Sequence, residues 1–246
     1  MKQGWYYLAR RSHTRSVVDF GDLAIDWDGG VARVAGSESS GCYVPTANLG
    51  DVVVVWIGSG HPSPLPEASW ATGSLVYDED MTIEAPVTDV LENVVDIHHF
   101  EPMHATTIVS NSLRIEATPN CLSVLKERVE PSMAGARSIP ISAHMYGPGL
   151  LVENHVHPRF PMTFLGIMRE DRSGRTIQAG QMWAHFSTES AVSKRWVSRL
   201  QTALQRELAR DALVWRHKRR GHRPCLVPED HGILRFRGWL EQLADA

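Results

Sequence analysis

Cysteine is scarce in this chain: Cys42, Cys121 and Cys225 lie far apart and include no CxxC pair. That usage argues against a disulfide framework or a thiolate zinc site, and it favours a cytoplasmic location. No apolar run reaches membrane-spanning length. The start, Met1-Lys2-Gln3-Gly4-Trp5-Tyr6-Tyr7, lacks the apolar stretch of a secretion signal. Charge of neither sign dominates. A formal net charge of −3, with 22% charged and 43% hydrophobic residues, is an ordinary soluble globular balance with no electrostatic case for nucleic acid. No internal repeat or low-complexity tract stands out. What remains is 246 residues, enough for one substantial core or one large domain with a small appendage.

Chemistry is concentrated between Glu92 and His104, in Glu92-Asn93-Val94-Val95-Asp96-Ile97-His98-His99-Phe100-Glu101-Pro102-Met103-His104. Asn93, Asp96 and His99 recur every three residues and form one polar stripe on a helix. His104 follows His99 by five, which on an unbroken helix turns the second ring roughly 140° from the first. Pro102 lacks an N–H and disfavours the α conformation at Glu101, so the helix is expected to bend or stop there and swing His104 back toward His99. Two imidazoles converging on a carboxylate from elsewhere would make the facial triad of a non-haem Fe(II) site.

The surrounding pattern is α+β. The first part reads as strands and turns, with Asp51-Val52-Val53-Val54-Val55-Trp56-Ile57-Gly58 the clearest strand. A Pro- and Ser-rich loop through Pro66 marks a boundary between regions 1–66 and 67–246. A strand at 81–84 leads into a helix over 87–99. Alternating segments at 110–116, 122–129, 141–145, 150–157, 162–168 and 176–186 imply an antiparallel meander, with turns at Gly147-Pro148-Gly149 and Arg172-Ser173-Gly174. From 190 to 216 the period becomes helical. There Val192, Trp196, Leu200, Leu204 and Leu208 step by four, and Asp211 and Trp215 continue the face. Asp211 is an acid on an apolar stripe, to be paired with an arginine, protonated or bound to metal.

Asn93-x-x-Asp96-x-x-His99-Phe100 with His104 resembles the mononuclear-iron motif of Rieske-type ring-hydroxylating and steroid-hydroxylating oxygenases. Asp211-x-x-x-Trp215-x-His217-Lys218, Arg223-Pro224 and Ile233-x-x-Phe236-Arg237-x-Trp239-x-x-Gln242 resemble the C-terminal signature of the 3-ketosteroid 9α-hydroxylase and cholesterol 7-desaturase branch. The resemblance spans about 71–243. It implies a helix-grip (START-like) catalytic domain, with a curved antiparallel sheet around a long C-terminal helix and an apolar cavity. By position it makes His99, His104 and Asp211 the ligands of a mononuclear Fe(II), with O₂ as co-substrate. Asn93 becomes an amide near the iron. Asp96 becomes the carboxylate that links the iron histidine to a cluster-bound histidine of a neighbouring subunit.

The chain departs from the family at the cluster. A Rieske centre needs CxH followed by CxxH, and none of the three cysteines has a histidine at the required offset. Yet Gly4-Trp5-Tyr6-Tyr7-Leu8-Ala9 and the 47–58 segment resemble the two ends of a Rieske domain, which implies a truncated β-rich remnant without an iron–sulfur cluster. Electrons are then expected from a Rieske-containing oxygenase subunit or a ferredoxin/reductase, in a trimer or heterohexamer. The expected substrate is apolar, polycyclic or steroid-like, and is hydroxylated, desaturated or oxidatively rearranged. Two rivals stand beside this reading: a non-catalytic subunit of a heteromeric oxygenase, and a helix-grip binder of hydrophobic ligands or an iron enzyme of redox-neutral chemistry.

Other residues receive quieter expectations. Met133, Met145, Tyr146, Phe160, Met162 and Phe164 are cavity candidates, with ordinary core the preferred reading. His155 and His157 share one strand face, a spacing that can bind metal but is read as a solvated face; His98 is read as a group behind the site or on the surface. His144 and His185 are candidate hydrogen bonders of a substrate pocket, with the structural reading preferred. The basic run from Arg216 to Arg223 suits a helix C-terminus, or docks an acidic redox partner.

Overall fold

The computed structural model describes residues 2–243 except 14, 21–22, 36–42, 59–60, 68–71, 133–134, 187–190 and 219–225, and describes the backbone alone at 131–132 and 191–194. Cys42, Cys225, Met133, Arg223 and Pro224 lie outside the described residues.

Among the described residues, three antiparallel sheets carry the fold. Near the N-terminus, β1 (Gly4–Arg10), β6 (Val52–Ile57) and β5 (Thr46–Leu49) form one, and β2 (Ser16–Phe20), β3 (Leu23–Trp27) and β4 (Ala32–Val34) a second. The third is a meander of eight strands. It runs β7 (Ser74–Ile83), β14 (Thr176–Ala184), β13 (Met162–Glu170), β12 (Leu150–His155), β11 (Gly135–Met145), β10 (Leu122–Ser132) and β8 (Thr107–Ile108), with β9 (Arg114–Ala117) also paired to β10. The α+β expectation holds; the strands expected at 81–84, 122–129, 141–145 and 162–168 are longer than expected, those at 51–58, 150–157 and 176–186 are shorter, and 110–116 yields only Arg114–Ala117 after a 3-10 turn.

Each face of the large sheet has its own partner, and alternation along the strands supplies both. On one face, Val152, Leu165, Ile167, Ala179 and Trp183 bury against Trp5, Tyr7, Val52, Val54 and Trp56 of β1 and β6. The contact is close at Gly149, where any side chain would collide with the Trp5 carbonyl. Arg10 fastens the same junction, bonding Asp51 at 3.0 Å, Asp78 at 2.5 Å and Asp80 at 2.5 Å. On the opposite face, Tyr77, Met182, Met162 and Phe164 meet Val197, Leu200, Leu204 and Leu208 of the long helix α3 (Ala191–His217).

One helix departs from expectation. The helix over 87–99 stops at Glu92: α1 is Val87–Glu92, a turn follows, and α2 is Phe100–His104. The break therefore lies at Asn93–His99 rather than at Pro102. Local competition accounts for it, because the Asp96 carboxylate accepts the His98 N–H at 3.0 Å and offers the backbone an Asx turn in place of another helical turn. Pro102 sits inside the first turn of α2, where a missing N–H breaks no intrahelical bond.

The closing helix α4 (His231–Gln242) inserts Ile233, Phe236, Trp239 and Leu240 into the core formed by Leu91, Val95, Leu122 and Trp215. Gly232 lets it approach, since a Cβ there would lie 2.7 Å from the Val95 carbonyl. Glu92, buried at the end of α1, bonds Lys218 at 2.8 Å and Arg237 at 2.6 and 2.9 Å. Burial alone would raise this carboxyl, but Arg237 and Lys218 outweigh it and hold its pKa below the ordinary carboxylate range. A depressed folded-state pKa stabilises the fold above the ordinary range, and the contribution is lost as pH falls through the depressed value. Glu92→Gln is therefore expected to cost about 2–3 kcal/mol in urea unfolding at pH 7. The deficit should shrink below about pH 4; a deficit independent of pH would contradict this account.

Candidate metal centre

The turn after α1 delivers His99 to the N-cap of α2, and α2 then carries His104 round to face it. The two rings lie 5.1 Å apart at 83°. Ala105 closes α2 in the left-handed region at φ 52°, the only non-glycine residue with positive φ among those described. That conformation costs roughly 1–2 kcal/mol, and it turns the chain sharply after His104. Asp211 reaches the same point from α3. One ligand atom from each of His99, His104 and Asp211 lies within 4.8 Å of the others. The structure thus brings together the three residues that the resemblance makes ligands.

Hydrogen bonding selects which nitrogens face inward. His99 Nδ1 lies 2.6 Å from the Asp96 carbonyl, to which it donates, leaving the Nε2 lone pair free. His104 directs Nδ1 at the Glu207 carboxylate and Nε2 at Asp211 Oδ1, 3.1 Å away. Asp211 Oδ1 is buried yet makes no hydrogen bond of proper geometry among the described residues. Burial lowers the His99 pKa against the pull of Asp211 and Asp96, favouring the neutral ring that a metal needs. Burial also opposes charge on His104, but Asp211 and Glu207 outweigh it and raise that ring. Two imidazoles and one carboxylate, with an otherwise unsatisfied oxygen, fit a mononuclear Fe(II) or a similar divalent ion.

The centre opens onto a cavity of about 490 Å³ between α3 and the large sheet. Asn93 lines it, and its buried Nδ2 has no hydrogen-bond partner among the described residues. Asp96 is half-buried; its carbonyl, not its carboxylate, bonds the iron-site candidate His99. Phe160, Met162 and Phe164 line the cavity, against the preferred reading of ordinary core. Met145 is fully buried in the core and Tyr146 packs against the β1–β6 side, so neither does.

The solvated reading of His155 and His157 is corrected. Both line the cavity; His155 Nε2 bonds Glu153 at 2.6 Å, and His157, 7% exposed, stacks on Phe160 at 3.9 Å. The inner face of β12 is the polar one here, while Val152 serves the opposite face. His98 is exposed, 3.9 Å from Asp230. His144 bonds Ser123 at 3.0 Å away from the cavity. Within the basic run, Lys218 is structural, paired with Asp89 and Glu92.

Sequence reasoning missed Lys126, Arg128, Glu130, Glu153, Gln178 and Glu207, all of which line the cavity. Two signals were present: Lys126, Arg128 and Glu130 alternate along one strand, and Glu207 precedes Asp211 by four on the same helix face.

The family described as 3-Ketosteroid 9alpha-hydroxylase C-terminal domain matches residues 63–243. No curated protein matches the chain. Among solved structures, dicamba monooxygenase bound to dicamba aligns with a TM-score of 0.71 at 10% identity, covering 98% of this chain and 97% of that one. NdmA of Pseudomonas putida CBB5 with caffeine aligns at 0.71 and 12% identity, covering 96% and 89%. Dicamba monooxygenase with non-heme iron and dicamba aligns at 0.62 and 11% identity, covering 98% and 96%. At such identities the structural likeness is one of fold.

Glu207 offers a test of the geometry. A carboxylate on the outer nitrogen of a metal-binding imidazole fixes its tautomer and orientation. Glu207→Ala is expected to weaken Fe(II) binding about 10–100-fold in anaerobic titration, with an unchanged circular dichroism spectrum. Unaltered affinity would remove Glu207 from the centre.

Proposed function

The chain belongs to the 3-Ketosteroid 9alpha-hydroxylase C-terminal domain family, and on that premise we propose that it is the mononuclear non-haem Fe(II) subunit of an oxygenase. Its structural neighbours are catalytic subunits of Rieske-type oxygenases. The observation that carries the proposal is the convergence of His99, His104 and Asp211 on the wall of the cavity between α3 and the large sheet.

His99 and His104 through Nε2, and Asp211 through a carboxylate oxygen, would hold the iron. When bound and supplied with electrons, ferrous iron in such a site activates O₂ against a substrate seated beside it. The protein's own part is positional. The Asp96 carbonyl and Glu207 orient the rings. The Asn93 amide faces the cavity with donors to offer a polar group near the centre. Phe160, Met162, Phe164, Leu204 and Leu208 exclude water and bind an apolar body, polycyclic or steroid-like on our reading.

Electrons come, in this proposal, from another protein. The sequence has no CxH…CxxH pattern, so region 1–66 is read as a Rieske remnant without a cluster. A Rieske-containing oxygenase subunit or ferredoxin/reductase would dock near Asp96, in a trimer or heterohexamer. The same missing pattern favours, as a second reading, a silent subunit of a heteromeric oxygenase.

Anaerobic reconstitution is expected to give one Fe(II) per chain, lost in His99→Ala. With a Rieske-containing partner and reductase, the wild type should couple O₂ uptake to product formation, and Asp96→Asn should keep its iron but slow reduction. Intact turnover of the complex with His99→Ala would transfer the chemistry to the partner and leave this chain the silent subunit.

A further inference from the structure

The cavity carries polar groups that the iron centre does not employ. Lys126, Arg128 and Glu130 point into it from alternate positions of β10, and Glu153, His155 and His157 from β12 and the residues after it. The inner members are already committed. Lys126 Nζ donates to the Val94 carbonyl at 2.9 Å, faces Glu153 at 3.8 Å and lies over the Phe100 ring at 4.5 Å. Phe100 in turn contacts His99, with ring centroids 4.2 Å apart.

Further along the same strands the accounts do not close. Arg128 stands two residues beyond Lys126, roughly 7 Å along the strand. Its Nη2 reaches Glu130 at 2.5 Å, but its buried Nε has no acceptor among the described residues. Ile139, opposite Arg128 in the register of β11, supplies none. His157 Nδ1 accepts the Arg159 N–H at 3.2 Å, so in the neutral ring Nε2 carries the proton. Yet Nε2 faces Arg137 Nη1 at 3.3 Å, which is also a donor. Burial and the nearby charges of Arg137, Arg128 and Arg159 lower the His157 pKa against the pull of Glu130, and so keep the ring neutral. Arg128 Nε and His157 Nε2 are thus donors on the cavity wall with no acceptor among the described residues, and Arg137 adds a third beside His157; Glu130, opposite Arg137 in the strand register, is taken by Arg128. Beside them Phe160 stacks on His157 and meets Trp196 at 5.2 Å and Phe186 at 6.1 Å, a wall for a flat apolar body.

We propose that the substrate is a ring-bodied carboxylic acid, its carboxylate received by Arg128 Nε, His157 Nε2 and the Arg137 guanidinium, its rings held between the Phe160 wall and the His99–His104–Asp211 centre. This rests on reading the cavity as the oxygenase's substrate chamber, and it names the substrate class. A guanidinium donating to a carboxylate makes a strong, charge-assisted bond, and a carboxylate's four lone-pair sites can satisfy all three donors.

Fluorescence titration of the full chain with anthracene-2-carboxylate and its neutral amide separates the possibilities. The carboxylate is expected to bind at least about tenfold more tightly than the amide. Arg128→Gln and Arg137→Gln should each erode that preference, costing the carboxylate several-fold more affinity than the amide, whose carbonyl accepts only a neutral hydrogen bond. Arg128→Lys should retain part of it. Should Arg128→Gln fail to fold, Arg137→Gln alone decides. Equal or tighter amide binding, no measurable carboxylate binding, or a preference that survives both glutamine variants would overturn the proposal. Iron is assayed separately on the same preparations. A chain that prefers the acid but takes up no iron sinks the oxygenase reading alone, and one that takes up iron without preferring the acid sinks this inference alone.

Discussion

Glu92 is the point on which the centre's geometry depends. Its buried carboxylate binds Lys218, just past the end of α3, and Arg237 in α4. Both histidines follow Glu92 in the chain, and Asp211 precedes Lys218 by two turns of helix. One ion-paired cluster therefore fixes the starting point of the segment that carries His99 and His104 and the far end of the helix that carries Asp211. Without that anchorage, three ligands drawn from two distant parts of the sequence would have no common reference. Removing one partner of a buried pair also leaves the other charge uncompensated, which makes the cluster costly to disrupt.

Local chemistry then sets the finer positions. The Asx turn at Asp96 ends the helical path and the Asp96 carbonyl orients His99, so one residue acts through both side chain and backbone. The left-handed Ala105 completes the reversal by closing α2 immediately after His104. A residue held in that region is disfavoured on its own and persists only where the surroundings over-determine it. Here those surroundings include the backbone bonds from Ala105 and Thr106 back to Glu101 and Phe100.

Sequence patterns revealed what depends on period and missed what depends on register. Asp211 was legible because a 3.6-residue period places it on the stripe of Leu204 and Leu208 without any knowledge of partners. The β6 run and the meander were legible for the same reason at period two. The position of the helix break was not, since it turned on whether the Asp96 side chain or Pro102 interrupts first, and a proline in the first turn interrupts nothing. The polar wall was hidden by pairing. Lys126 meets Ile141, and Ile141 meets His155. No local pattern reports that 126 and 155 occupy one row of the sheet, so the histidines looked solvated when they face a cavity. Glu207 needed only the step of four from Asp211.

The route of electrons follows from the same short segment. Cys121, half-buried beside Ser123, has no histidine at a cluster-forming offset, whereas His99, His104 and Asp211 form a group that could hold a metal. On the proposed reading a donor must reach His99 from outside the chain. His98 is exposed and its N–H is held by the Asp96 carboxylate; the Asp96 carbonyl holds the His99 ring. Those three residues span surface to centre with two hydrogen bonds. A rigid, short connection of that kind suits a partner that docks over the Asn93–His99 turn, and leaves the opposite side of the centre to the substrate. On that reading electron entry and substrate entry would lie on different sides of His99, whose Nδ1 bonds the Asp96 carbonyl while the residue lines the cavity.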